Sequence, residues 1–382
     1  MRVAVIGGGL AGCATAIALR NVGAEVTVFE AASQPRREGQ SVSLLMNGTA
    51  AFAALGVGPQ PGHRITKLTS LQHRSGRRLS TIDAAALEAR FGHPYVVVSR
   101  RELLDPLLGA LDGSIVYAKR ATTVENTPSG AGVHFADGTS EGADLVVVAD
   151  GARSALRLSL WPADQGQFFS FAFQGTVDLH PDYPSADTAF LCMGPGVFTG
   201  TFPTTNGQVG WFIDQRAEVP ARPPAPVKNY LLSRFRDWSG PLRALIEATP
   251  EEEVDAEVYP IYVRRPRWGK GRVVLAGDAA HSLNPALGQG TNQAFTDAVA
   301  LGAAVSTSRA ADEVLATYSR SRSRRATMFW RMAKMTLHPA LARFSDLARW
   351  NSDGMATRSW RLLTRPDPVV RAALASEGRS AK

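Results

Sequence analysis

Three glycines, Gly7, Gly9 and Gly12, followed by a carboxylate at Glu30, are the first residues whose types and spacing point to chemistry. In the spacing Gly7-x-Gly9-x-x-Gly12 the first glycine permits a tight turn, the second lets backbone approach a pyrophosphate, and the third lets a helix pack closely on a strand. The free N–H groups and positive dipole end of a helix entered through Leu10 and Ala11 would hold phosphate by backbone alone. Glu30 stands 23 residues after Gly7, where a carboxylate accepts hydrogen bonds from a ribose diol. A 2′-phosphate would meet like charge there, so this pocket suits the adenosine of FAD or NAD and disfavours NADP.

The elements that must position these residues are legible around them. RVAVI reads as a short buried strand, Leu10 to Val22 as a helix closed by Gly23, and EVTVFE as a second strand ending at Glu30. Val3 to Leu19 contains no charge and superficially imitates a signal peptide or membrane span, but Gly7, Gly8, Gly9 and Gly12 interrupt any stable apolar helix. A cytoplasmic protein is expected.

Two later segments repeat the pattern of a buried strand emptying into a polar glycine turn. ADLVVVADGARSALR delivers Asp150 and Gly151, preceded by a hairpin that turns at Ala136-Asp137-Gly138. GRVVLAGDAAHSLNPALGQGTNQAFTDA delivers Asp278, then Pro285, Gly288 and Gly290, then an apolar helix carrying Asn292 and Asp297. Asp278 would hydrogen-bond a polyol, and backbone N–H groups from Leu287 to Thr291 would stabilise negative charge on a flavin pyrimidine ring. An NAD dehydrogenase has no need for that segment.

Together, GGGLAG with Glu30, ADGARSALR, and GDAAHSLNPALGQGTNQAFTDA resemble the three fingerprints of the single-component FAD-dependent aromatic hydroxylases, the p-hydroxybenzoate hydroxylase-like flavoprotein monooxygenases. Arg36, Gly39 and Asn47 resemble the segment after the ribose acid, and Arg100 with Leu103, Leu104 and Leu107 the arginine-led helix near the flavin. The similarity spans roughly residues 1 to 325. It departs at Ser41 and Met46, where many relatives have a glycine and a proline. The resemblance implies that Gly7, Gly9 and Gly12 hold pyrophosphate, Glu30 the ribose, and Arg36 and Arg100 polar parts of FAD. It implies that Asp150 helps bind cofactor and reductant, that Asp278 binds the ribityl or pyrophosphate region, and that Pro285 through Gly290 line the isoalloxazine. It also implies transient NADH or NADPH, reaction of O₂ at flavin C4a, and passage of oxygen from the hydroperoxide to an electron-rich ring.

The implied fold class is α/β: a Rossmann-like FAD-binding domain over 1–75, 95–165 and 264–325, an inserted, mostly antiparallel sheet over 76–94 and 166–263, and a helical segment over 326–382. From Phe168 to Val263 the chain alternates in the manner of half-buried strands, and Lys228 to Ile246 reads as a short helical stretch. The resemblance places this sheet over the flavin with most of the substrate contacts. Phe198, Phe202, Trp211 and Phe212 would stack on a planar substrate, although alternation commits about half of them to the core. The catalytic residues are left open, with Ser43, Tyr95, Arg216, His281 and Pro285 as candidates, the first four also for touching substrate. For His281 the plainer role is to cap its loop or bond backbone.

Composition is that of an ordinary globular protein, with 45% hydrophobic and 20% charged residues. The two cysteines, Cys13 and Cys192, form no disulfide framework, and no metal site is expected. The net charge of +8 is concentrated after Val305, where 15 cations face 6 anions, leaving the preceding chain at −1. This argues against nucleic-acid binding. Arg320, Arg322, Arg324, Arg325 and Arg331 suit a solvated helix face or a dimer contact ahead of a phosphate-binding or membrane-surface face. Monomer and homodimer stay open. The expected function is hydroxylation of a small aromatic or heteroaromatic molecule. The alternatives are a flavin oxidase, reductase or halogenase, the last lacking its WxWxIP signature here, and a nonenzymatic flavin- or membrane-surface-binding protein.

Overall fold

Short runs of β-branched and apolar residues can be buried on both faces only in a parallel sheet covered from two sides, and RVAVI, LVVV and VVL form one. In the computed structural model, Arg2–Ile6, Glu25–Phe29, Ile115–Val116, Leu145–Val148 and Val273–Leu275 run parallel, and Gly269–Lys270 adds an antiparallel edge. Residues 1–37, 41–127, 129–178, 183–217, 221–256, 258–338 and 352–380 are described, so Gly39 lies outside the described residues. Helices Leu10–Arg20 and Gly290–Thr307 pack on one face of the sheet. A three-stranded antiparallel sheet, containing the expected hairpin Ala131–Phe135 to Ser140–Ala143, covers the other.

Register decides where the turns go. Ile6 stands beside Val148, and Val148 beside Leu275, so the chain leaves all three strands at one edge of the sheet. Gly7 there has φ +110°, a conformation favouring glycine. A Cβ on Gly12 would lie 1.8 Å from the Gly7 carbonyl oxygen, so a side chain at 12 would separate helix from strand.

The second layer is a seven-stranded sheet in the order Val258–Val263, Gln167–Asp178, Gln208–Arg216, Val197–Pro203, Thr188–Gly194, Lys67–Gln72 and Arg78–Asp83. All of its pairings are antiparallel except that of Thr188–Gly194 with Lys67–Gln72. That pairing moves Lys67–Gln72 out of the 1–75 span assigned to the cofactor unit; a parallel partner more than 100 residues away leaves no local mark in the sequence. The outer face of this sheet packs against helices Val227–Arg234, Leu242–Ala248 and Glu251–Ala256, and the single helical stretch expected over Lys228–Ile246 is broken from Phe235 to Pro241.

Helices Ala311–Thr336, Asp353–Thr364 and Pro368–Ser380 follow the cofactor unit. Their arginines do not make one basic face. Arg320, Arg324 and Arg331 are exposed, but Arg322 is fully buried against Asp297 at 2.7 Å and Asp367 at 3.2 Å. Arg325 donates to the carbonyls of Leu363 and Arg365 and so ties the long helix to the segments after it. Among the described residues no helix is long and apolar enough to cross a membrane.

Candidate active site

The aligned strand ends open onto a groove of about 380 Å³ that runs past Gly7, Gly8 and Gly9 to Glu30, Arg36, Arg100 and Asp150. Backbone fixes its acid: Glu30 Oε2 accepts from the Gly8 amide at 2.7 Å and Oε1 from the Ala32 amide at 2.7 Å. Burial pushes the Asp150 carboxyl up, and its Oδ1 has no partner among the described residues. Lys119, Arg120 and Arg153 join Arg36 and Arg100 in the groove wall, giving it five cations. Arg120 and Lys119 follow strand Ile115–Val116 and belong to no fingerprint, so only pairing brings them in.

A second cavity, of about 330 Å³, lies where the helix Gly290–Thr307 meets the seven-stranded sheet. One wall is Asp278 and the turn Pro285–Thr291; the opposite wall is Phe198, Phe202 and Phe212; Ser43 and Tyr95 come from strands Ser41–Leu44 and Tyr95–Ser99. The Ser43 and Tyr95 hydroxyls lie 3.3 Å apart, and burial pushes the Tyr95 phenol up to about 12 despite that contact. Burial also raises the Asp278 carboxyl, against the opposing fields of His281 and Arg100. The two cavities are neighbours: a Cβ on Gly9 would be 3.6 Å from Arg100, whose charge acts on Asp278, and one on Gly277 would be 2.8 Å from Ala11.

Several sequence candidates fall elsewhere. Trp211 is 1% exposed, donates to Thr249 Oγ1 at 3.0 Å and packs under the outer helices. Strand alternation turns its neighbour Phe212 to the cavity instead. Arg216, at the end of the same strand, lies over the Phe169 ring and outside the cavity wall. His281 is buried with Nε2 2.6 Å from Asp297 Oδ2, a side-chain pairing rather than the loop cap or backbone bond expected of it. Leu10, Ala11 and Gly12 serve packing rather than lining either cavity. Asn292 braces the wall from behind: its Oδ1 accepts from the Leu45 amide at 2.9 Å and its Nδ2 donates to the Ser43 carbonyl at 3.0 Å.

The sequence reading missed other wall residues. Leu191 and Gln174 come from the sheet, and Trp360 from the helix Asp353–Thr364, with its ring 6.3 Å from that of Tyr95. A tryptophan on an amphipathic helix carries no signal of its destination, so only tertiary packing reveals it. Gln289 also lines the cavity; its Oε1 accepts from Asn47 and Gln293 while its buried Nε2 has no partner among the described residues. Behind the Pro285 turn, Asp214 is fully buried on the same strand face as Phe212. Burial pushes its carboxyl up to about 7, opposed by the Ser170 hydroxyl and the Ala286 amide.

These features fit an FAD laid across both cavities. Gly7 leaves no room for a Cβ against Ala149, so backbone faces the groove where phosphate would sit. The groove cations match a pyrophosphate, and Asp278, in the wall of the second cavity and within the field of the groove's Arg100, would meet the ribityl chain. The orphan Gln289 amide and the turn Gly288–Thr291 supply donors where the ring edge would lie.

A family profile described as an FAD binding domain matches residues 1–333. The chain is 32% identical over 338 residues to the aurachin C monooxygenase/isomerase of Stigmatella aurantiaca, covering 86% of this chain and 87% of that protein. It is 31% identical over 332 residues to the FAD-dependent urate hydroxylase of Klebsiella pneumoniae, covering 84% and 86% respectively. The crystal structure of Klebsiella pneumoniae HpxO complexed with FAD and uric acid superposes with a TM-score of 0.88 at 27% identity, covering 97% of this chain and 98% of that one. From its strand-end glycine turn to the Pro285 turn, this chain belongs to the FAD-dependent aromatic hydroxylases of the p-hydroxybenzoate hydroxylase-like flavoprotein monooxygenase family.

Proposed function

We propose that the protein is an FAD-dependent monooxygenase that inserts one atom of O₂ into an aromatic or heteroaromatic small molecule, with NADH or NADPH as reductant. The balanced reaction is RH + O₂ + NAD(P)H + H⁺ giving ROH + H₂O + NAD(P)⁺. The observation that carries this reading is a ring-lined cavity placed directly against a groove fitted for FAD. The relatives named for urate hydroxylation and for 3-amino-4-hydroxybenzoate oxidation act on small rings of this kind.

Bound FAD would accept a hydride equivalent from the nicotinamide and activate oxygen. The chain's own contribution is to bind, orient and keep out water. Glu30, Arg36 and Arg100 would anchor the adenosine and phosphate end, with Asp150 beside them. Backbone donors of Gly288, Gly290 and Thr291 would stabilise negative charge developing at the pyrimidine edge, in a site where low dielectric strengthens each hydrogen bond. Phe198, Phe202, Phe212 and Trp360 surround the substrate space with apolar rings, limiting hydrolytic loss of activated oxygen as H₂O₂. Tyr95, kept protonated by its burial, and Ser43 would orient a polar substituent on the substrate.

The test is to supply the purified holoenzyme with NAD(P)H, a panel of phenols and hydroxylated heteroaromatics, and ¹⁸O₂. Incorporation of one labelled atom per reductant oxidised is the expected result. Substrate-stimulated NAD(P)H oxidation that yields H₂O₂ with no labelled product would favour an oxidase or reductase instead.

A further inference from the structure

The two cavities differ in charge. The groove wall carries five cations, whereas the described wall of the ring-side cavity holds two ionisable side chains, Tyr95 and Asp278, and neither is basic. Its remaining polar side chains are hydroxyls and amides, chiefly Ser43, Gln174 and Gln289, set among Leu191, Phe198, Phe202, Phe212 and Trp360. Aromatic and leucine side chains bind a flat ring by area and by offset stacking. An anion entering that space loses its hydration and gains no opposite charge from these residues.

From this, and resting on the monooxygenase reading above, we propose that the substrate is an uncharged aromatic or heteroaromatic compound bearing a neutral hydroxyl, selected against ring carboxylates by the apolar wall that Trp360 completes. The Tyr95 and Ser43 hydroxyls, 3.3 Å apart, are the recognition pair. One O–H serves their mutual hydrogen bond, which leaves the other as donor to the substrate's oxygen. Trp360 lines the cavity beside Tyr95, so the helix Asp353–Thr364 is part of the specificity apparatus.

The experiment titrates the flavin-loaded enzyme with matched neutral and acidic probes, following the visible flavin band: 4-methylphenol against 4-hydroxybenzoate, and 2-naphthol against 6-hydroxy-2-naphthoate. The neutral member of each pair is expected to bind at least tenfold more tightly at pH 7.5. Tyr95→Phe is expected to weaken 2-naphthol but not 2-methylnaphthalene, which has no oxygen to accept the hydrogen bond. Trp360→Ala is expected to weaken both by about tenfold while the flavin stays bound. A neutral-to-acid ratio below ten, tighter binding of the acids, or a flavin band that none of the four probes moves overturns the proposal. Failure of the parent reading looks different: the protein would retain no flavin, or would bind the neutral probes and insert no oxygen into any of them.

Discussion

The cofactor groove and the ring-side cavity lie side by side but are built in opposite ways. The groove is made by turns that directly follow strands, with backbone and long cations doing the binding; its essential positions are ones where a side chain is forbidden, as at Gly7 and Gly12. The cavity is made by side chains from many separate parts of the chain, and its character comes from which face of a strand each residue occupies. Ligand contact through backbone demands a particular geometry, whereas contact through side chains demands a particular surface. The groove should therefore tolerate change poorly and the cavity should be tunable.

The most severe test of that contrast is Gly12→Val. With a Cβ position 1.8 Å from the Gly7 carbonyl oxygen, the helix cannot keep its seat, and the purified protein is expected to retain no flavin by its visible absorbance. Retention of a normal flavin spectrum would show the groove to be as adaptable as the cavity. Next in size is a paired comparison on one strand. Trp211→Ala, in the core under the outer helices, is expected to cost about 3–5 kcal/mol in urea unfolding. Phe212→Ala, one residue on, should cost clearly less and act on substrate affinity instead. Equal losses would erase the two-faced description of the sheet.

The smallest effect is a pH dependence. The folded-state pKa of Asp214, about 7, lies above the ordinary aspartate value, so between pH 4 and 7 the folded chain holds a proton that the unfolded chain has released. Its contribution therefore makes stability fall as pH rises through that window, by at most about 1.4 kcal/mol per unit. Asp214→Asn, neutral at every pH, is expected to flatten that part of the profile in melts at pH 5, 6 and 7. An unchanged slope would show that the carboxyl behind the Pro285 turn does not titrate there.

The same contrast explains what could be read from sequence. Gly7, Gly9, Gly12, Glu30, Asp150 and Asp278 are legible because each motif is local: a strand, a turn and a helix contiguous in the chain. Burial of Trp211 rather than Phe212 is a matter of phase, and a period of two gives two faces without saying which is inward. Trp360 and Lys119 are illegible for another reason, since their positions depend on packing between elements far apart in sequence. Arg322 is the clearest case. On sequence it belongs to a basic helix, yet its partners Asp297 and Asp367 sit 25 and 45 residues away and turn it into an interior brace. Removing one member of such a buried pair strands the other charge.

The register that sets Ile6, Val148 and Leu275 side by side also imposes a timetable on biosynthesis. As the polypeptide emerges, Arg2–Ile6 can pair with Glu25–Phe29 at once, but its other edge waits for Leu145–Val148, and that strand in turn waits for Val273–Leu275. Nascent chains thus carry open strand edges through most of translation, the condition under which chaperones are needed and aggregation competes. A dinucleotide held by all three turns would arrive only after the last of them has left the ribosome, and so would stabilise the finished protein rather than guide its early folding.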